Sequence, residues 1–447
     1  MMSRRVQSGF AVPQKWCSLV SSSHGETLAR FEAEKTMKKP DCVTRTSCKV
    51  CGSEIVPYFD LGDMPLPDDF QSAPGNDVRR FKLELAYCKG CHLSQLTVDV
   101  NPDLMFRDFP WESSVSKPNL EHFQELASIA SERLGMKRGD VVVDIACNDG
   151  GPLDQFSPYE VVKVGVDPAT NLIELAKTKG ISTINEYWTP AIADGIVSSF
   201  GKAKIVTATQ VFGHVANIRE FVAGLKVVLA EDGTCIVEAP HHVDLINGTL
   251  FDTVHHEHPS YWLLHSADTL FRKHGMMVYD VEKTSVYGGS LRMFVGHEGK
   301  HEIKPSVAKM IASEEEGGFY SFERYQGFGT QAANFRANVR RFLTQLKADG
   351  ERLVGFGAGA KGCIALNYCG LDSSFLDHVI DETEGKQGMY IPGVDLKVVG
   401  MDELDANDVV FILSWNFSEA IIERSKIAKG HVVPLPELVM HRTRRSA

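Results

Sequence analysis

The stretch VVVDIACNDGG, residues 141 to 151, decides the fold. It begins as a run of β-branched residues and ends in small and acidic ones, a pattern typical of the first strand and cofactor loop of a nucleotide-binding α/β fold. A second strand, Val161 to Val166, ends in Asp167, roughly twenty residues beyond the loop. A carboxylate at that place can accept hydrogen bonds from both hydroxyls of a ribose. The spacing predicts a bound nucleoside.

The same loop indicates which nucleoside binds. Asp144 and Asp149 make the loop acidic, and it lacks the three-glycine pattern that brings a helix N-terminus to a pyrophosphate. A cationic nucleoside without phosphate, S-adenosylmethionine, is therefore favoured over NAD. Ala146 and Asn148 stand where glycines are usual, so a plain tight turn before a buried helix is the alternative. The predicted cofactor contacts are Asp144, Ala146, Asn148, Asp149, Gly150, Asp167 and Gln210.

Helical and strand-like segments alternate on both sides of this loop. A helical stretch, Leu120 to Leu134, precedes it, and apolar strands at Ile205 to Thr209 and Cys235 to Val237 follow it. Buried strands separated by helices predict a parallel sheet that is covered on both faces. Further along, Pro305 to Ala348 is expected to form long polar helices. A second α/β unit is predicted at Arg352 to Phe356, Val379 to Asp381, Val409 to Leu413 and Val432 to Val433.

Two cysteine pairs, Cys48-Lys-Val-Cys51 and Cys88-Lys-Gly-Cys91, predict a metal site. In each pair, two thiolates and a tight turn present backbone amides toward sulfur, as in tetrahedral zinc sites. Four cysteines fill the coordination sphere and leave no position for water, so the zinc is expected to be structural. Two unrelated pairs or a redox pair are the alternative, and a redox pair would need a βαβ context that this segment lacks.

Composition and charge narrow the class of protein. With 43% hydrophobic and 23% charged residues and no apolar run of about 18 residues, we expect a soluble chain with no membrane partner. The net charge of -11 argues against a nucleic-acid partner and favours a small-molecule substrate. Ten cysteines without a secretory leader favour the reducing cytoplasm. Residues 1–24 contain basic residues and no acid, which weakly resembles an organellar transit peptide, with a disordered tail as the alternative.

An acid and base cluster follows the predicted fifth strand. The segment FDTVHHEHPSY, residues 251 to 261, concentrates three imidazoles and two carboxylates where an open α/β sheet places its ligands. A histidine oriented by a carboxylate is the usual general base for removing a proton next to a carbonyl. A polar loop whose histidines cap helices, and a site for iron or zinc, are the alternatives. The predicted catalytic residues are His258, Glu257 and His255.

A second glycine-rich turn, Gly355-Phe-Gly357-Ala-Gly359-Ala-Lys361-Gly362, follows an apolar strand. It contains a GxGxxG match, with Asp381 nineteen residues beyond the last glycine. The turn could cradle the diphosphate of a nucleotide sugar, bind a dinucleotide, or form only the tight first turn of a vestigial Rossmann unit. Trp415-Asn416-Phe417, at the end of a later strand, is expected near the same crevice.

Taken together, these segments resemble the nucleotide-sugar C-methyltransferases of deoxysugar biosynthesis. The likeness runs from Cys48 to Glu437, nearly the whole chain after its first residues. Its marks, besides the cysteine pairs and the second glycine-rich turn, are Asp60-Leu-Gly62, Pro65-Leu-Pro67, Ser113-Ser114, Cys147-Asn-Asp-Gly150, Phe251-Asp-Thr253, His256-Glu-His258, Tyr287-Gly-Gly-Ser-Leu-Arg292, Lys386-Gln-Gly388 and Trp415-Asn-Phe417. Matches this numerous, and in this order, make the resemblance specific.

The resemblance implies methylation at C3 of a 4-keto-6-deoxy sugar that is linked to a nucleoside diphosphate, commonly dTDP. His258 and Glu257 would remove the acidic C3 proton, and the resulting enolate would attack the sulfonium methyl. The implied substrate contacts are Trp111, Ser113, Tyr287, Arg292, Gly357, Gly359, Lys361, Lys386 and Asn416. The predicted α/β architecture has a tail at 1–40, a zinc-binding domain at 41–115, a class I (Rossmann-like) S-adenosylmethionine methyltransferase domain at 116–300 and a Rossmann-like substrate-binding domain at 301–447.

Two positions depart from the family pattern. Tyrosines are usual where this chain has Trp111 and His255. Trp111 keeps only a hydrogen-bond donor and an aromatic face, and His255 keeps donor and acceptor ability with a different reach. Two alternatives therefore stay open: an O- or N-methyltransferase acting on another small metabolite, and a catalytically silent binding protein. A monomer or homodimer is expected.

Overall fold

The computed structural model describes residues 40–75 and 77–442, and for Tyr287 only the backbone. The predicted tail or targeting segment, residues 1–40, lies outside the described residues apart from its last one. The strands are β1 (Cys42–Thr44), β2 (Ile55–Pro65), β3 (Arg80–Cys88), β4 (Ser94–Leu96), β5 (Val98–Val100), β6 (Val141–Ile145), β7 (Val162–Val166), β8 (Ser182–Ile184), β9 (Ala203–Thr209), β10 (Leu229–Pro240), β11 (Ser260–Tyr261), β12 (Met276–Thr284), β13 (Ser290–His297), β14 (Arg352–Phe356), β15 (Val379–Ile380), β16 (Val398–Val399), β17 (Asp408–Ile412), β18 (Gly430–Val433) and β19 (Val439–Arg442). The helices, in chain order, are α1 (Lys117–Glu132), α2 (Gly151–Asp154), α3 (Thr170–Thr178), α4 (Pro190–Phe200), α5 (Ile218–Val228), α6 (His242–Asn247), α7 (Leu264–Lys273), α8 (Pro305–Glu316), α9 (Glu323–Gln326), α10 (Phe328–Ala348), α11 (Ala360–Cys369) and α12 (Ser418–Arg424).

The central sheet contains the apolar run of residues 141–145 as its strand β6. Its strand order within the described ranges is β12-β13-β10-β9-β6-β7-β8, and β6 pairs in parallel with both β7 and β9. Side chains of β6 alternate between the faces of the sheet, so that Val141 and Val143 pack in one apolar core and Val142 in another. Both faces are buried, which explains the unbroken apolar run of this strand. The loop after β6 therefore lies near the middle of the sheet, beside the carboxyl ends of β7 and β9.

One strand of this sheet, β13, is antiparallel to its neighbours and was not among the strands that the sequence predicted. β13 is antiparallel to both β10 and β12. Only five residues separate β12 from β13, and Gly288 and Gly289 in that turn adopt φ values of 90° and 119°. A parallel return needs a crossover of a dozen residues or more, whereas a tight glycine turn makes a hairpin. The predicted parallel order therefore holds for β6, β7, β9 and β10, and β13 adds an antiparallel strand that the sequence did not predict.

The N-terminal sheet includes a strand from far along the chain. Its order is β11-β4-β3-β2, and in β11 Ser260 pairs with Gln95 while Tyr261 pairs with Ser94. The segment predicted to hold the acid and base cluster thus ends as an edge strand of the zinc-binding portion. The predicted boundary at 115/116 separates residues in sequence that this ladder joins in space.

The C-terminal sheet has the order β16-β15-β14-β17-β18-β19, with β19 alone antiparallel to its neighbour among the described strands. The polar helices predicted over Pro305 to Ala348 form as α8, α9 and α10. One apolar core contains Phe59 of β2, Phe251 of the acid and base segment, Phe328 of α10 and Val379 of β15. The acid and base segment therefore lies where the three parts of the chain meet.

Candidate active site

The loop after β6 has a left-handed backbone at three positions, one of which is an alanine, a residue type that disfavours it. Ala146, Asn148 and Gly150 have φ values of 61°, 54° and 81°. Gln210, which follows β9 at the same edge of the sheet, has a φ of 58°. Left-handed backbone at a non-glycine residue costs on the order of 1 kcal/mol or more, and such strain concentrates at ligand sites. We call this loop, residues 144 to 151, together with Asp167 and Gln210, the nucleoside pocket.

Asp167 fixes the pocket from the end of β7. Its Oδ2 accepts from the amide of Asn148 at 2.8 Å, and its Oδ1 accepts from the amide of Ala169 at 2.7 Å. Burial raises the pKa of this carboxyl. Each carboxylate oxygen retains a second lone pair, so Asp167 can also accept hydrogen bonds from two hydroxyls of a ligand.

Asp144 is the buried first residue of the nucleoside pocket and lies near the end of β6. Its Oδ1 accepts from the Thr207 hydroxyl at 2.6 Å, and no partner for Oδ2 exists among the described residues. Burial, opposed by Thr207 and assisted by the charge of Asp167, raises the pKa of Asp144 to about 7. A buried carboxyl oxygen without a partner fits a site that gains one when a polar or cationic ligand binds.

The segment from 102 to 116, which we call the strap, covers the pocket. The Asn148 side-chain amide donates to the Trp111 carbonyl at 3.0 Å, and its oxygen accepts from the Ser113 amide at 2.9 Å. Asp149 accepts from the Ser113 hydroxyl at 2.7 Å and forms an ion pair with Lys179 at 3.1 Å. The Trp111 residue itself is 44% exposed. Asp149 therefore holds the strap, and the Trp111 ring remains available to a ligand.

Two further predicted substrate residues, Tyr287 and Arg292, lie in the hairpin of β12 and β13. Arg292 is buried, and its guanidinium binds Glu238 at 2.6 Å and Glu125 at 2.8 Å. Its remaining terminal nitrogen lies 3.4 Å from the His122 ring. The hydrogen bonds of this guanidinium therefore go to protein side chains. The backbone of Tyr287 lies in the short 3-10 turn before β13. Gln210 donates to Ser290 at 3.1 Å, which joins the hairpin to the nucleoside pocket.

Three imidazoles pack together in the second part of the site, which we call the histidine cluster. The rings of His255 and His258 lie 3.9 Å apart, and His214 packs edge-on against His258 at 4.6 Å. His214 also contacts Phe106 of the strap, with ring centroids 5.6 Å apart. Burial lowers the pKa of His214 to about 4. The cluster is therefore neutral and adjoins the cover of the nucleoside pocket.

His258 has a defined tautomer. Its Nδ1 lies 3.2 Å from the Thr253 carbonyl oxygen, which can only accept, so Nδ1 carries the proton. Nε2 then keeps its lone pair, and no protein donor to it is found in the described ranges. Burial, the neighbouring His214 and the charge of Lys361 hold the pKa of His258 well below its usual range. At neutral pH this imidazole is uncharged and can accept a proton.

Glu257 pairs with a residue that the sequence did not indicate. Its carboxyl forms a hydrogen bond with the carboxyl of Asp68, and both groups lie near the ammonium of Lys386. Burial raises the pKa of both acids. Two carboxyls that share a hydrogen bond hold one proton between them. The expected pair of His258 with Glu257 is thus replaced by His258 with Thr253 and by Glu257 with Asp68.

A third group of side chains approaches from the C-terminal part. Trp415 donates from Nε1 to Asp252 at 2.6 Å, and the Lys361 ammonium lies 4.9 Å from the centre of the Trp415 ring. Burial raises the pKa of Asp252 to about 6, and Lys361 opposes the rise. Burial also lowers the pKa of Lys361, which the charge of Asp252 opposes. Asn416 follows Trp415 in a short 3-10 turn.

The second glycine-rich turn has a partner similar to that of the first. Asp381 accepts from the amide of Ala358 at 2.7 Å, as Asp167 does from Asn148. Gly357 has a φ of 99°, while a side chain added at Gly359 would meet open space. Lys386 donates to the Ala358 carbonyl at 3.0 Å. The turn is therefore held to Asp381 by a hydrogen bond. At Gly359, directly before α11, there is open space next to the backbone.

The four predicted zinc ligands converge. The sulfurs of Cys48, Cys51, Cys88 and Cys91 all lie within 4.8 Å of one another. Cys48 and Cys91 are 3.6 Å apart, close to the sulfur spacing of about 3.8 Å that tetrahedral Zn–S bonds of 2.3 Å require. The amides of Val50 and Gly90 each point at a sulfur at 3.3 Å. Three buried thiols and the half-buried thiol of Cys51, with amide donors, fit Zn²⁺, and they leave no ligand position for water.

Sequence reasoning missed Asp68, His214 and Thr253. His214 lies just beyond the end of β9, and that position was the available signal, because ligands of open α/β sheets collect at the carboxyl ends of strands. Asp68 lies in the N-terminal part, and nothing in its neighbourhood indicates a partner near residue 257.

Along the described part of the chain, no helix has the length and apolar character needed to cross a bilayer.

Family models match three successive segments of the chain. The segment 48–106 matches "Putative zinc binding domain", 120–281 matches a methyltransferase domain, and 285–436 matches the C-methyltransferase C-terminal domain. C-methyltransferase NovU of Streptomyces niveus is 33% identical over 402 residues, which cover 87% of this chain and 95% of that protein. The match therefore includes all three parts of the fold.

Solved structures with a similar fold cover less of the chain. Magnesium protoporphyrin IX methyltransferase of Synechocystis PCC 6803 is 12% identical and aligns with 42% of this chain and 82% of its own, with a TM-score of 0.31. The PH0226 protein of Pyrococcus horikoshii OT3 is 15% identical over 42% of this chain and 96% of its own, with a TM-score of 0.33. The assignment of the central domain rests instead on the match of residues 120–281 to the methyltransferase domain model.

Proposed function

This chain belongs to the C-methyltransferase family, and we propose that it methylates the carbon next to the keto group of a nucleotide-linked deoxysugar. It is an S-adenosylmethionine-dependent methyltransferase with a structural zinc site. The observation that supports the proposed acceptor is a neutral imidazole with a free nitrogen, His258, which His214 links to the strap over the nucleoside pocket. A base so placed suits a carbon acid, because a carbon acceptor must lose a proton before it is methylated.

In the proposed reaction, His258 accepts the proton from the carbon next to the ketone. The electron pair of that C–H bond moves into the carbonyl and forms an enolate, while the imidazole becomes an imidazolium. S-adenosylmethionine supplies an electrophilic methyl group, and its sulfur leaves as the neutral thioether of S-adenosylhomocysteine when the new carbon–carbon bond forms. The hydrogen bond from His258 to Thr253 keeps the ring in the tautomer and orientation that this step needs.

Lys361 is the cation placed to stabilise the enolate. Its charge reaches His255 and His258, whose pKa values it lowers, and it lies over the Trp415 ring. A partly desolvated ammonium acts strongly on negative charge that develops nearby. The Asp252 carboxyl, held by Trp415, balances the ammonium before substrate binds.

The acid pair of Asp68 and Glu257 suits binding of sugar hydroxyls. Two carboxyls with one shared proton offer both a donor and acceptors, and Lys386 balances the remaining charge. The start of α11 at Gly359 supplies free backbone amides for the diphosphate. The Trp111 ring, Ser113, Tyr287 and Asn416 complete the proposed substrate contacts, while Arg292 is proposed to act through its ion pairs with Glu238 and Glu125.

A methyl-transfer experiment distinguishes this function from O- or N-methylation. The chain is incubated with methyl-labelled S-adenosylmethionine and dTDP-4-keto-6-deoxyglucose, and then with other nucleotide-linked keto sugars. We expect a labelled methyl group bonded to a ring carbon that has lost its proton, seen by carbon–proton correlation NMR. A methyl group on oxygen, or no transfer to any keto sugar while S-adenosylhomocysteine binds, would overturn the proposal and favour the O-methyltransferase or the silent binding protein.

A further inference from the structure

The two cysteine pairs carry a lysine at the same place but use it differently. Lys89 of the second pair is exposed and forms an ion pair with Glu54 at 3.1 Å, where both side chains are more than half exposed. Lys49 of the first pair has a side chain that is only 3% exposed. Its ammonium donates to Asp99 at 2.8 Å and to the carbonyl oxygen of Pro259 at 3.1 Å. Pro259 is the residue directly after His258.

The Pro259 carbonyl has a second donor from the same part of the chain. The amide of Leu96 in β4 donates to it at 3.2 Å, and Ser260 then pairs with Gln95 in the ladder of β11 and β4. The side chain of Gln95 in turn accepts from the amide of Lys49 at 2.9 Å. Lys49 and β4 thus form one connected unit around the end of the histidine segment.

Burial makes this lysine costly unless it has a specific partner. Desolvation lowers the pKa of Lys49, and the nearby Asp99 opposes that shift. Arg45 also pairs with Asp99, at 2.6 Å, so the carboxylate has its own support. A buried ion pair is weak evidence for stability, because apolar side chains of the same volume often serve as well. The directed bond to Pro259 is what an apolar side chain could not provide.

We propose that Lys49 is a positioning residue: the zinc-held turn between Cys48 and Cys51 fixes its backbone, and its ammonium fixes the Pro259 carbonyl and so the position of His258. The inference rests on the proposed function insofar as His258 is the base. Zinc performs no chemistry in this arrangement, yet it sets the geometry of a proton-transfer group in another domain. Placement errors of about 1 Å at such a group can lower turnover about a hundredfold.

The test compares Lys49→Met with Lys89→Met, which removes the matching lysine of the other pair. In both variants, zinc content and affinity for S-adenosylhomocysteine are expected to equal those of the unmodified chain. Hydrogen exchange of backbone amides at 251–262 should rise only in Lys49→Met. Exchange of the C3 proton of dTDP-4-keto-6-deoxyglucose with D2O should show a kcat lower by about tenfold or more in that variant, with KM changed less than about threefold.

The double variant Lys49→Met with Asp99→Asn removes the charge left behind on Asp99 and guards against misfolding. If it keeps zinc and still shows the faster amide exchange and lower kcat, the positioning role holds. Equal behaviour of the Lys49 and Lys89 variants would overturn it, and so would loss of zinc from every Lys49 variant, because Lys49 would then serve the metal site. If the unmodified chain fails to exchange the C3 proton, the proposed function fails, while amide exchange at 251–262 still decides whether Lys49 holds the segment.

Discussion

The nucleoside pocket takes its atoms from loops at the ends of three neighbouring strands, whereas the proposed acceptor site around the histidine cluster joins side chains as far apart in sequence as Asp68 and Trp415. In the pocket, backbone amides of Asn148 and Ala169 hold one carboxylate. Around the histidine cluster, Asp252 pairs with Trp415 and Glu257 with Asp68, so side chains from all three parts of the chain contact one another. The proposed donor site thus depends mainly on one part of the chain, and the proposed acceptor site depends on the assembly of all three.

The largest effect is expected from removing the proposed base, His258, while the nucleoside pocket stays intact. His258→Ala should lower C3 proton exchange by about a thousandfold, because a positioned general base contributes roughly 10² to 10⁴ to a rate. S-adenosylhomocysteine affinity, measured by calorimetry, should change less than about twofold. His256→Asn is the matched control, because His256 instead contacts the Phe81 carbonyl at 3.1 Å. A similar loss in both variants would mean that the segment as a whole was disturbed and that His258 is not the base.

The second-largest effect is expected from Asp167→Asn, which should weaken cofactor binding and leave proton exchange unaffected. Asp167→Asn disturbs hydrogen bonds to a charged group, each worth about 1.5 to 3 kcal/mol, so affinity for S-adenosylhomocysteine should fall roughly a hundredfold. Exchange of the C3 proton without methyl donor should persist. Asp154→Asn, which changes an exposed acid of α2, should alter neither quantity. Loss of proton exchange in Asp167→Asn would show that the nucleoside pocket and the histidine cluster do not act independently.

A third change tests the electrostatics of the cluster. Lys361→Met should lower C3 exchange about tenfold, because one cation near the enolate is lost. The positive charge of Lys361 lowers the pKa of His258, so its removal should raise that pKa, and the acid limb of the pH profile of kcat/KM should move to higher pH. His214, His255 and Tyr261, which also pack on His258, stay in place. Lys347→Met, on α10, is the control, and an unmoved acid limb in Lys361→Met would contradict this role.

The smallest effect concerns backbone strain in the pocket. Ala146→Gly relieves a φ of 61° and should raise the free energy of unfolding by less than about 1 kcal/mol, because the entropy of glycine in the unfolded chain offsets part of the gain. Ala169 has an ordinary φ of -74°, so no strain is relieved there. Ala169→Gly should therefore lower the free energy of unfolding by roughly the same amount. Denaturant unfolding measures both. A loss of stability in Ala146→Gly equal to that in Ala169→Gly would show that no strain is stored at Ala146.

The two regions also differ in how far the sequence predicts them. The pocket loop, Asp167 and the four cysteines are short-range patterns, whose periodicity and spacing follow directly from strand and turn geometry. The left-handed backbone at Ala146 and Asn148 could not be predicted, because their residue types do not demand it. The partners of the cluster could not be predicted either. Glu257 precedes His258 in sequence, but neighbouring side chains in a loop point in different directions, and the partner of Glu257 is nearly 190 residues away.

Proton exchange at C3 in the absence of methyl transfer tests the central claim most directly. dTDP-4-keto-6-deoxyglucose is incubated in D2O with S-adenosylhomocysteine and either the unmodified chain or His258→Ala, and the C3 proton signal is followed by NMR against a sample without protein. The account predicts rapid loss of that signal with the unmodified chain and the background rate with the variant. Equal exchange in both, or methyl transfer to the sugar without any C3 exchange, would contradict it.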